Sequence, residues 1–265
     1  MNILITNDDG IHAEGIKALA FAAVGAGHNV TVVAPDREKS ACSHALTMDL
    51  PLTARDTLGY PKDIEAYAIT GTPADCVKIG MLHLIDEKID VVLSGINIGA
   101  NLGSDIVYSG TVNAAIEANM LGIPAIAFSQ ALIGRKQVDY TTYFKTAARC
   151  AMQLIEKIDV GNMQDFIYNV NFPAVIGNEI KGIKFCSQGV SAYDEAYEKR
   201  TDPFGRDYYW IGGKMIESEY NEVNNTDVKW IDKGYITITP LKWNQTDLNE
   251  LEHSKCKIEN LKLHF

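Results

Sequence analysis

The chain has 265 residues, and 24 lysines and arginines stand against 34 aspartates and glutamates, so the formal net charge is −10. A surface that binds DNA or RNA carries clustered positive charge, whereas the basic residues here are scattered singly, which argues against a nucleic-acid polymer as partner. Hydrophobic residues make up 46% of the chain and charged residues 22%, a composition typical of globular proteins and not of disordered ones.

The sequence indicates neither a membrane span nor a targeting segment. The longest weakly polar stretch, at residues 18–26, is shorter than the roughly 20 apolar residues that a membrane helix needs. The chain enters a strand-like segment directly after Met1, without the cationic start of a signal peptide, so we expect a cytoplasmic protein. The cysteines lie far apart, lack a CxxC pair and are expected to be reduced thiols: Cys42, Cys76, Cys150, Cys186 and Cys256.

Short β-branched runs alternate with helical patterns over the first half of the chain. In chain order, the patterns predict a strand at residues 2–6, a helix at 13–24, strands at 29–34 and 64–70, a helix at 73–84, a strand at 90–94, a helix at 111–121 and a strand at 125–129. Repeated βαβ units place helices on both faces of a parallel sheet. We therefore expect an α/β fold with a Rossmann-like, three-layer, mostly parallel sheet.

The second half begins in the same way and then changes character. The patterns predict a helix at residues 140–158, strands at 165–170 and 182–186, a hairpin arm at 207–213, a strand at 234–240 and a short helix at 244–252. From about residue 191 the chain is more polar and aromatic. We therefore expect an α/β catalytic core at residues 1–190 and a C-terminal antiparallel hairpin extension at residues 191–265.

The turn after the first predicted strand has the sequence Asn7-Asp8-Asp9-Gly10. Ligands of open α/β sheets bind beyond the carboxyl ends of the strands, so this position is a candidate site. Two adjacent carboxylates repel each other, and a divalent cation relieves that repulsion. A solvated turn, with an Asp as helix cap and Gly10 at positive φ, is the equally weighted alternative.

The turn after the second predicted strand leads through Ser40 to a polar stretch that contains Ser43, His44 and Thr47. A hydroxyl in this segment could bind a hard cation. A lone polar segment of this kind is more often a surface loop, and His44, like His12, is expected at the rim of the site.

The third turn, at residues 94–103, is the most informative, because it contains three glycines together with Asn97 and Asn101. Glycines let the backbone approach a ligand closely, and the two amides offer carbonyl oxygens or N–H donors. A helix then starts with the sequence Ser-Gly-Thr at residues 109–111. Its free N–H groups, hydroxyls and positive dipole end suit a phosphate, while ordinary helix capping is the simpler alternative.

Together, the three turns predict a hard-cation site beside an anion site at one sheet edge. Oxygen ligands select Mg²⁺, Mn²⁺ or Ca²⁺ rather than zinc, and a metal beside a phosphate site indicates phosphoryl chemistry. The chain lacks the Gly-rich dinucleotide motif and the P-loop, and its adjacent aspartates do not have the Asp-x-Asp spacing of aspartyl-phosphate phosphatases. It also lacks the G-x-S-x-G elbow of ester hydrolases.

Ordered motifs along most of the chain carry a family resemblance. In the first half they are Asn7-Asp8-Asp9-Gly10, Ala34-Pro35-Asp36-Arg37 leading to Ser40, Gly71-Thr72-Pro73-Ala74-Asp75, Ser94-Gly95-Ile96-Asn97-Ile98-Gly99-Ala100-Asn101-Leu102-Gly103 and Tyr108-Ser109-Gly110-Thr111. In the second half they are Asn171-Phe172-Pro173, Asp207-Tyr208-Tyr209-Trp210 and Gly234-Tyr235-Ile236-Thr237-Ile238-Thr239-Pro240-Leu241. These motifs strongly resemble those of the SurE family, the stationary-phase survival proteins, which act as 5′/3′-nucleotidases.

The resemblance implies a metal-dependent phosphatase that hydrolyses nucleoside 5′-monophosphates, with 3′-monophosphates as further candidate substrates. It implies one divalent cation per subunit, held by the following ligands: Asp8, Asp9, Ser40 and Asn97. Ser40 is preferred to Ser43, because the family serine directly follows a cluster of basic and acidic residues. The phosphate-binding residues of the family correspond to these positions: Asn101, Ser109, Gly110 and Thr111.

Members of this family are dimers or tetramers that exchange C-terminal segments, so the resemblance also implies a homodimer or homotetramer. An extended two-stranded arm would not be stable alone, which agrees with that expectation. Tyr208, Tyr209 and Trp210 could stack a nucleobase, although a core or interface role is more frequent for such a cluster.

Asp8 and Asp9 are the expected catalytic residues, because one of them would act as base or orient the attacking water. Two alternatives stay open: a phosphoester or polyphosphate hydrolase of wider range, and a non-catalytic nucleotide sensor. A sensor would still bind nucleotide after chelation of metal, whereas the enzyme would lose activity. The sequence does not fix where the base and sugar bind.

Overall fold

The computed structural model describes residues 1–131, 140–175, 177–194, 197–213, 215–216 and 218–259, without the side chains of residues 215 and 256–259. The strands are β1 Asn2–Thr6, β2 Asn29–Pro35, β3 Ala54–Asp56, β4 Glu65–Ile69, β5 Val91–Ile98, β6 Ala125–Gln130, β7 Ile167–Phe172, β8 Ile183–Phe185, β9 Ala192–Tyr193, β10 Tyr197–Thr201, β11 Asp207–Ile211, β12 Met215–Ile216 and β13 Ile236–Leu241. The helices are α1 Glu14–Gly25, α2 Pro73–Ile79, α3 Gly110–Met120, α4 Tyr140–Ile155, α5 Glu219–Val223, α6 Asp227–Asp232 and α7 Leu248–Glu259.

The main sheet has the strand order β3-β4-β2-β1-β5-β6-β7-β13-β8 within the described residues. Every pairing from β4 to β7 is parallel, whereas β3 is antiparallel to β4 and β13 is antiparallel to β7. The carboxyl ends of the parallel strands therefore meet at one edge. The predicted α/β fold with a mostly parallel sheet is confirmed.

Helices cover both faces of the sheet, because side chains that alternate along each strand are apolar on both sides. In β1, Ile3 and Ile5 pack in the cluster that contains residues of α1 and α4, while Leu4 packs in the cluster that contains residues of α2 and α3. These three isoleucine and leucine side chains are at most 2% exposed. Burial on both faces holds the end of β1, and the turn after it, in a fixed position.

Strand β5 carries an irregularity that extends it into the candidate site. Its pairing with β6 shifts between Ser94 and Asn97. Gly95 in this shift has a φ of +131°, and a Cβ there would lie 2.2 Å from the carbonyl oxygen of Phe128, so only glycine fits. The strand consequently continues to Ile98, beyond the predicted end at Ser94.

The predicted elements of the first half are confirmed with small differences in their bounds. The helix predicted at residues 73–84 consists of α2 and a π-helical turn at Gly80–Leu84. In the second half, the predicted hairpin is confirmed as the antiparallel pair of β10 and β11. The helix predicted at residues 244–252 begins later, at Leu248, and the short elements β3, α5 and α6 were not predicted.

The strand predicted at residues 234–240 was wrongly placed in the C-terminal extension. It is β13, which lies inside the main sheet between β7 and β8. A period-two alternation identifies a strand but not its neighbours, so the sequence pattern could not decide this position. That residues 191–265 as a whole serve oligomerisation stays a prediction.

Two further observations concern membrane-spanning helices and cysteines. Among the described residues, no helix combines the length and the apolar character needed to cross a membrane. The four cysteines whose side chains are described, Cys42, Cys76, Cys150 and Cys186, are free thiols. The side chain of Cys256 lies outside the described residues.

Candidate active site

The turn after β1, the end of β5 and the start of α3 meet at the carboxyl edge of the sheet. The backbone N–H of Ile98 donates a 3.0 Å hydrogen bond to Oδ2 of Asp9. The hydroxyl of Thr111 donates to Oδ1 of Asp8, which is 5% exposed. The structure therefore brings both predicted catalytic carboxylates together with the first turn of the predicted phosphate-binding helix.

Both carboxylates lie where ionisation is unfavourable. Burial raises the pKa of Asp8, although hydrogen bonds from Thr111 and from the Gly110 backbone oppose this effect. Burial, together with the charges of Asp8 and Glu38, raises the pKa of Asp9 to about 7. Within the part of the chain that the structure describes, neither carboxylate forms an ion pair with a lysine, arginine or histidine. Their negative charge therefore has no cationic side-chain partner among the described residues.

This donor set fits a hard divalent cation. The side-chain oxygen Oδ1 of Asn7 is buried without a hydrogen-bond partner, while its Nδ2 donates to the Gly10 carbonyl oxygen at 3.0 Å. No group of three or more His, Cys, Asp or Glu side chains in the described residues could hold a metal. A cation here would therefore depend on the two carboxylates and on neutral oxygens, which suits Mg²⁺, Mn²⁺ or Ca²⁺.

Ser40 and Asn97 lie on segments whose neighbouring residues contact Asp8 and Asp9. The N–H of Lys39 donates a 2.7 Å hydrogen bond to the Asp8 carbonyl oxygen, which holds the loop after β2 against the turn. Ser40 is exposed, and its hydroxyl donates to Oε1 of Glu38 at 2.5 Å. Nδ2 of Asn97 donates to the Gly99 carbonyl oxygen at 2.9 Å. Their roles as metal ligands stay predictions.

The start of α3 combines a capping residue with a close approach of the backbone to Asp8. Oγ of Ser109 accepts a 3.1 Å hydrogen bond from the N–H of Val112, so this hydroxyl caps the helix. A Cβ on Gly110 would lie 2.8 Å from both Cβ of Asp8 and Sγ of Cys42. Glycine is therefore required for the carboxylate to reach the positive end of the helix dipole.

Asn101, a predicted phosphate-binding residue, is held in a buried polar network. Its N–H donates to Oδ1 of Asn171 at 2.8 Å, its Nδ2 donates to Oγ of Ser129 at 2.8 Å, and its carbonyl oxygen accepts from Nδ2 of Asn169 at 2.8 Å. None of these three partners was predicted from the sequence as a site residue. Two asparagines separated by one residue in a buried strand were the signal, because a buried polar side chain needs a partner.

Comparisons with known proteins agree on one family. A family model described as survival protein SurE matches residues 3–195. The 5′-nucleotidase SurE of Microcystis aeruginosa is 44% identical over 262 residues, which cover 96% of this chain and 95% of that protein. The 5′-nucleotidase SurE of Gloeobacter violaceus is 46% identical over 248 residues, which cover 93% and 91% of the two chains. The chain belongs to the SurE family. The crystal structure of a SurE protein from Aquifex aeolicus has a TM-score of 0.79 and 39% identity, with coverage of 98% of this chain and 100% of that one.

In this SurE-family protein, the loop after β2 is fastened to the helix layer beside the site. Ser43 donates from its N–H to the Tyr108 carbonyl oxygen at 3.1 Å and from its hydroxyl to the Val107 carbonyl oxygen at 2.7 Å. Nε2 of His44 lies 2.6 Å from Oε2 of Glu117, which is 4% exposed. His12 is exposed, as expected at the rim, whereas His44 is an anchor of the loop that carries Ser40.

Glu117 also accepts a hydrogen bond from Nζ of Lys78 at 2.9 Å. The hydrogen bond from His44 lowers the pKa of Glu117, burial acts in the opposite direction, and Lys78 lowers it further. We expect Glu117→Gln to reduce the free energy of unfolding by about 1.5–3 kcal/mol at neutral pH, because two charge-assisted hydrogen bonds are weakened. Urea unfolding of both proteins measures this difference.

The pH dependence of that difference has a definite sign. Because the pKa of Glu117 is lower in the folded state than its ordinary value of 4.5, its stabilisation is complete above pH 4.5 and is lost as the pH falls through the folded-state pKa. The difference between Glu117→Gln and the wild type should therefore narrow in acid. Glu87→Gln, at an exposed carboxylate, is the control and should change little at any pH. If the difference in the free energy of unfolding between Glu117→Gln and the wild type is the same at acid and neutral pH, the ionised Glu117 does not stabilise the fold as described.

The three aromatic residues that could stack on a nucleobase lie on the hairpin. Tyr208, Tyr209 and Trp210 belong to β11 and are between 41% and 59% exposed. In the described residues, their strand pairs with β10 and with no strand of the main sheet. Stacking of these rings on a nucleobase stays a prediction.

Proposed function

We propose that the protein is a 5′-nucleotidase that hydrolyses nucleoside 5′-monophosphates to nucleoside and phosphate. The observation that carries this proposal is the pair of adjacent carboxylates, the buried Asp8 at the N-terminus of α3 and the half-buried Asp9 beside the end of β5, which have no cationic side-chain partner among the described residues. The SurE relatives in Microcystis and Gloeobacter carry the name 5′-nucleotidase, which supports the same activity. A sensor for nucleotides is a poorer match, because paired carboxylates without a cation repel a phosphate.

The proposed reaction depends on one divalent cation, with Asp8, Asp9, Ser40 and Asn97 as its ligands. When bound, such a cation polarises the phosphoryl oxygens and lowers the pKa of a coordinated water. Burial and the charges of Asp8 and Glu38 raise the pKa of Asp9 to about 7, and a bound cation would favour the ionised carboxylate instead. We assign to Asp8 or Asp9 the orientation of the attacking water.

The phosphate is proposed to bind at the start of α3. The backbone N–H groups of Gly110 and Thr111 and the hydroxyls of Ser109 and Thr111 would donate to its oxygens, and Asn101 is assigned as a further phosphate-binding residue. In the described structure the Thr111 hydroxyl donates its one O–H to Asp8, so its donation to the phosphate would replace that hydrogen bond. The helix dipole favours the developing negative charge at this point.

The wider features of the proposal follow from the family. We propose that nucleoside 3′-monophosphates are also substrates, and that the protein acts in the cytoplasm as a homodimer or homotetramer with exchanged C-terminal segments. The hairpin supports the oligomer, because both of its strands are exposed along their whole length and Ile211 is 80% exposed. Exposed apolar side chains on a two-stranded arm gain stability from a partner surface.

Phosphate release from a panel of substrates tests the proposed function. The panel contains 5′- and 3′-nucleoside monophosphates, short polyphosphate and p-nitrophenyl phosphate, each assayed with Mg²⁺, with Mn²⁺ and with EDTA. We expect release from the 5′-monophosphates with metal and none with EDTA. Equal release from every compound would instead indicate a hydrolase of wider range. No release, with nucleotide still bound in EDTA, would refute the enzyme and indicate a sensor.

A further inference from the structure

A buried carboxylate of the C-terminal part, Asp227, reaches the loop that carries the candidate ligands. Asp227 is 0% exposed, and its Oδ2 accepts a 3.0 Å hydrogen bond from the N–H of Gly103. Its Oδ1 accepts from the N–H groups of Gly189 and Val228, both at 2.8 Å. One side chain thus joins the start of α6, the segment after β8 and the end of the loop at residues 97–103.

Asp227 has only N–H donors as hydrogen-bond partners in the described residues. Burial raises the pKa of this carboxyl, and the backbone N–H groups of Gly103, Gly189 and Val228 oppose that effect. A carboxylate accepts hydrogen bonds at both oxygens, whereas the amide of asparagine would turn an N–H donor toward one of these N–H groups. The arrangement is therefore specific for an acid, although burying a charge is costly.

The two backbone segments that Asp227 joins also pack closely on each other. A Cβ on Gly103 would lie 2.8 Å from Oγ of Ser191, and a Cβ on Gly189 would lie 3.0 Å from Oδ1 of Asp227. Nε2 of Gln188 donates to the Gly103 carbonyl oxygen at 2.8 Å, and Oγ of Ser191 donates to the Leu102 carbonyl oxygen at 3.1 Å. The end of the loop is consequently fixed on this side.

The same loop is fixed on its other side by the strands of the core. Asn171 and Ser129 hold Asn101, and the N–H of Gly99 donates to the Gln130 carbonyl oxygen at 2.9 Å. Asn97 and Asn101 therefore stand on a segment that is tied to β6 and β7 at one end and to Asp227 at the other. Loss of the Asp227 contact would loosen the Gly103 end of the loop, which is not held by β6 or β7.

We infer that Asp227 is a positioning residue, whose carboxylate fixes the loop at residues 97–103 so that Asn97 and Asn101 are correctly placed for phosphoester hydrolysis. The inference rests on the proposed function. Asp227 has no contact with the proposed phosphate position in the described residues, so it acts through Gly103. The Asp227 carboxylate accepts hydrogen bonds from backbone N–H groups. We do not expect it to contact the substrate.

The test compares Asp227→Asn with Asp232→Asn, which makes the same chemical change at an exposed position on the same helix. Steady-state kinetics on a 5′-monophosphate and amide hydrogen exchange of the two proteins are measured well below their unfolding temperatures. We expect Asp227→Asn to lower kcat by about 10- to 100-fold with KM changed by less than about threefold, because a small displacement of positioned groups is costly. The Gly103 amide should exchange faster, and Asp232→Asn should behave as the wild type in both measurements.

Each outcome separates this inference from a purely structural role. A variant that unfolds more easily but keeps the wild-type kcat would overturn it. A wild-type protein that releases no phosphate would refute the proposed function instead, and exchange at Gly103 would still report whether Asp227 orders the loop. If Asp227→Asn does not fold, Gln188→Ala removes the part-buried hydrogen bond to the Gly103 carbonyl oxygen. Faster exchange at Gly103 with an unchanged kcat in that variant would overturn the inference, because the loop would then be loosened without an effect on turnover.

Discussion

Replacing Asp9 by asparagine is expected to lower phosphate release by at least about 1,000-fold, because the change removes one of the two carboxylates on which cation binding and water orientation depend. The asparagine keeps the shape of the side chain and can still accept the 3.0 Å hydrogen bond from the Ile98 N–H. It also removes the repulsion between neighbouring carboxylates, so the variant should fold normally. Phosphate release with saturating Mg²⁺ or Mn²⁺, together with the circular dichroism spectrum, measures both effects.

The control for this variant is Asp36→Asn, which removes a carboxylate from the neighbouring loop. Asp36 is paired with Arg37 at 3.1 Å and has no contact with Asp8 or Asp9 in the described residues. Its replacement should leave the rate within about twofold, as is usual for surface changes away from the reacting groups. A folded Asp9→Asn protein with near wild-type turnover would show that the carboxylate pair belongs to a structural turn and has no catalytic role.

Gly110→Ala is expected to reduce turnover by about 100-fold, since a misplacement of about 1 Å in a catalytic site has an effect of this size. The new methyl group would lie 2.8 Å from Cβ of Asp8 and 2.9 Å from its Oδ2, so the carboxylate and the helix start must separate. The hydrogen bond between Thr111 and Asp8 would be lost in that movement. Steady-state kinetics over a range of metal concentrations should show a lower kcat. The metal concentration that gives half-maximal activity should also be higher than for the wild type.

Gly25→Ala is the matched control, because it makes the same change at the end of α1, where an added Cβ has no atom within 4 Å. Alanine is favoured over glycine in helices by about 1 kcal/mol, so this variant should be as stable as the wild type or slightly more so. Its turnover should not change. Equal activity of the two variants would mean that the close approach of Asp8 to α3 is not needed for the reaction.

Sequence periodicity predicted the core of the fold because both sheet faces are buried. A strand such as β6, with all six residues buried, begins with a continuous apolar run at residues 125–128, and the helices between the strands show their own apolar faces. The exposed strand β10, Tyr-Glu-Lys-Arg-Thr, has no such signal, because nothing in the described residues covers it. The strands that pair with β13 could not be predicted from the sequence either, because strand pairing depends on contacts between distant parts of the chain.

The candidate site was predictable where turns directly follow strands, and not where distant segments meet. Asp8, Asp9 and Thr111 could be found because parallel strands bring their carboxyl ends to one edge. The anchors Glu117 and Asp227 could not, because a glutamate in a helix and an aspartate near a helix start look like surface residues until their partners are known. Their burial is a property of the tertiary structure.

The internal position of β13 has a consequence for how the chain can be completed during synthesis. The outer edge of β7 has no antiparallel partner until residues 236–241 have left the ribosome, and β8 pairs only with β13 among the described strands. An unpaired edge of a nascent sheet can associate with other chains. Completion of the sheet therefore requires a late-made strand to insert between two that were made before it, and a chain that stops short of that strand would leave this edge of β7 unpaired.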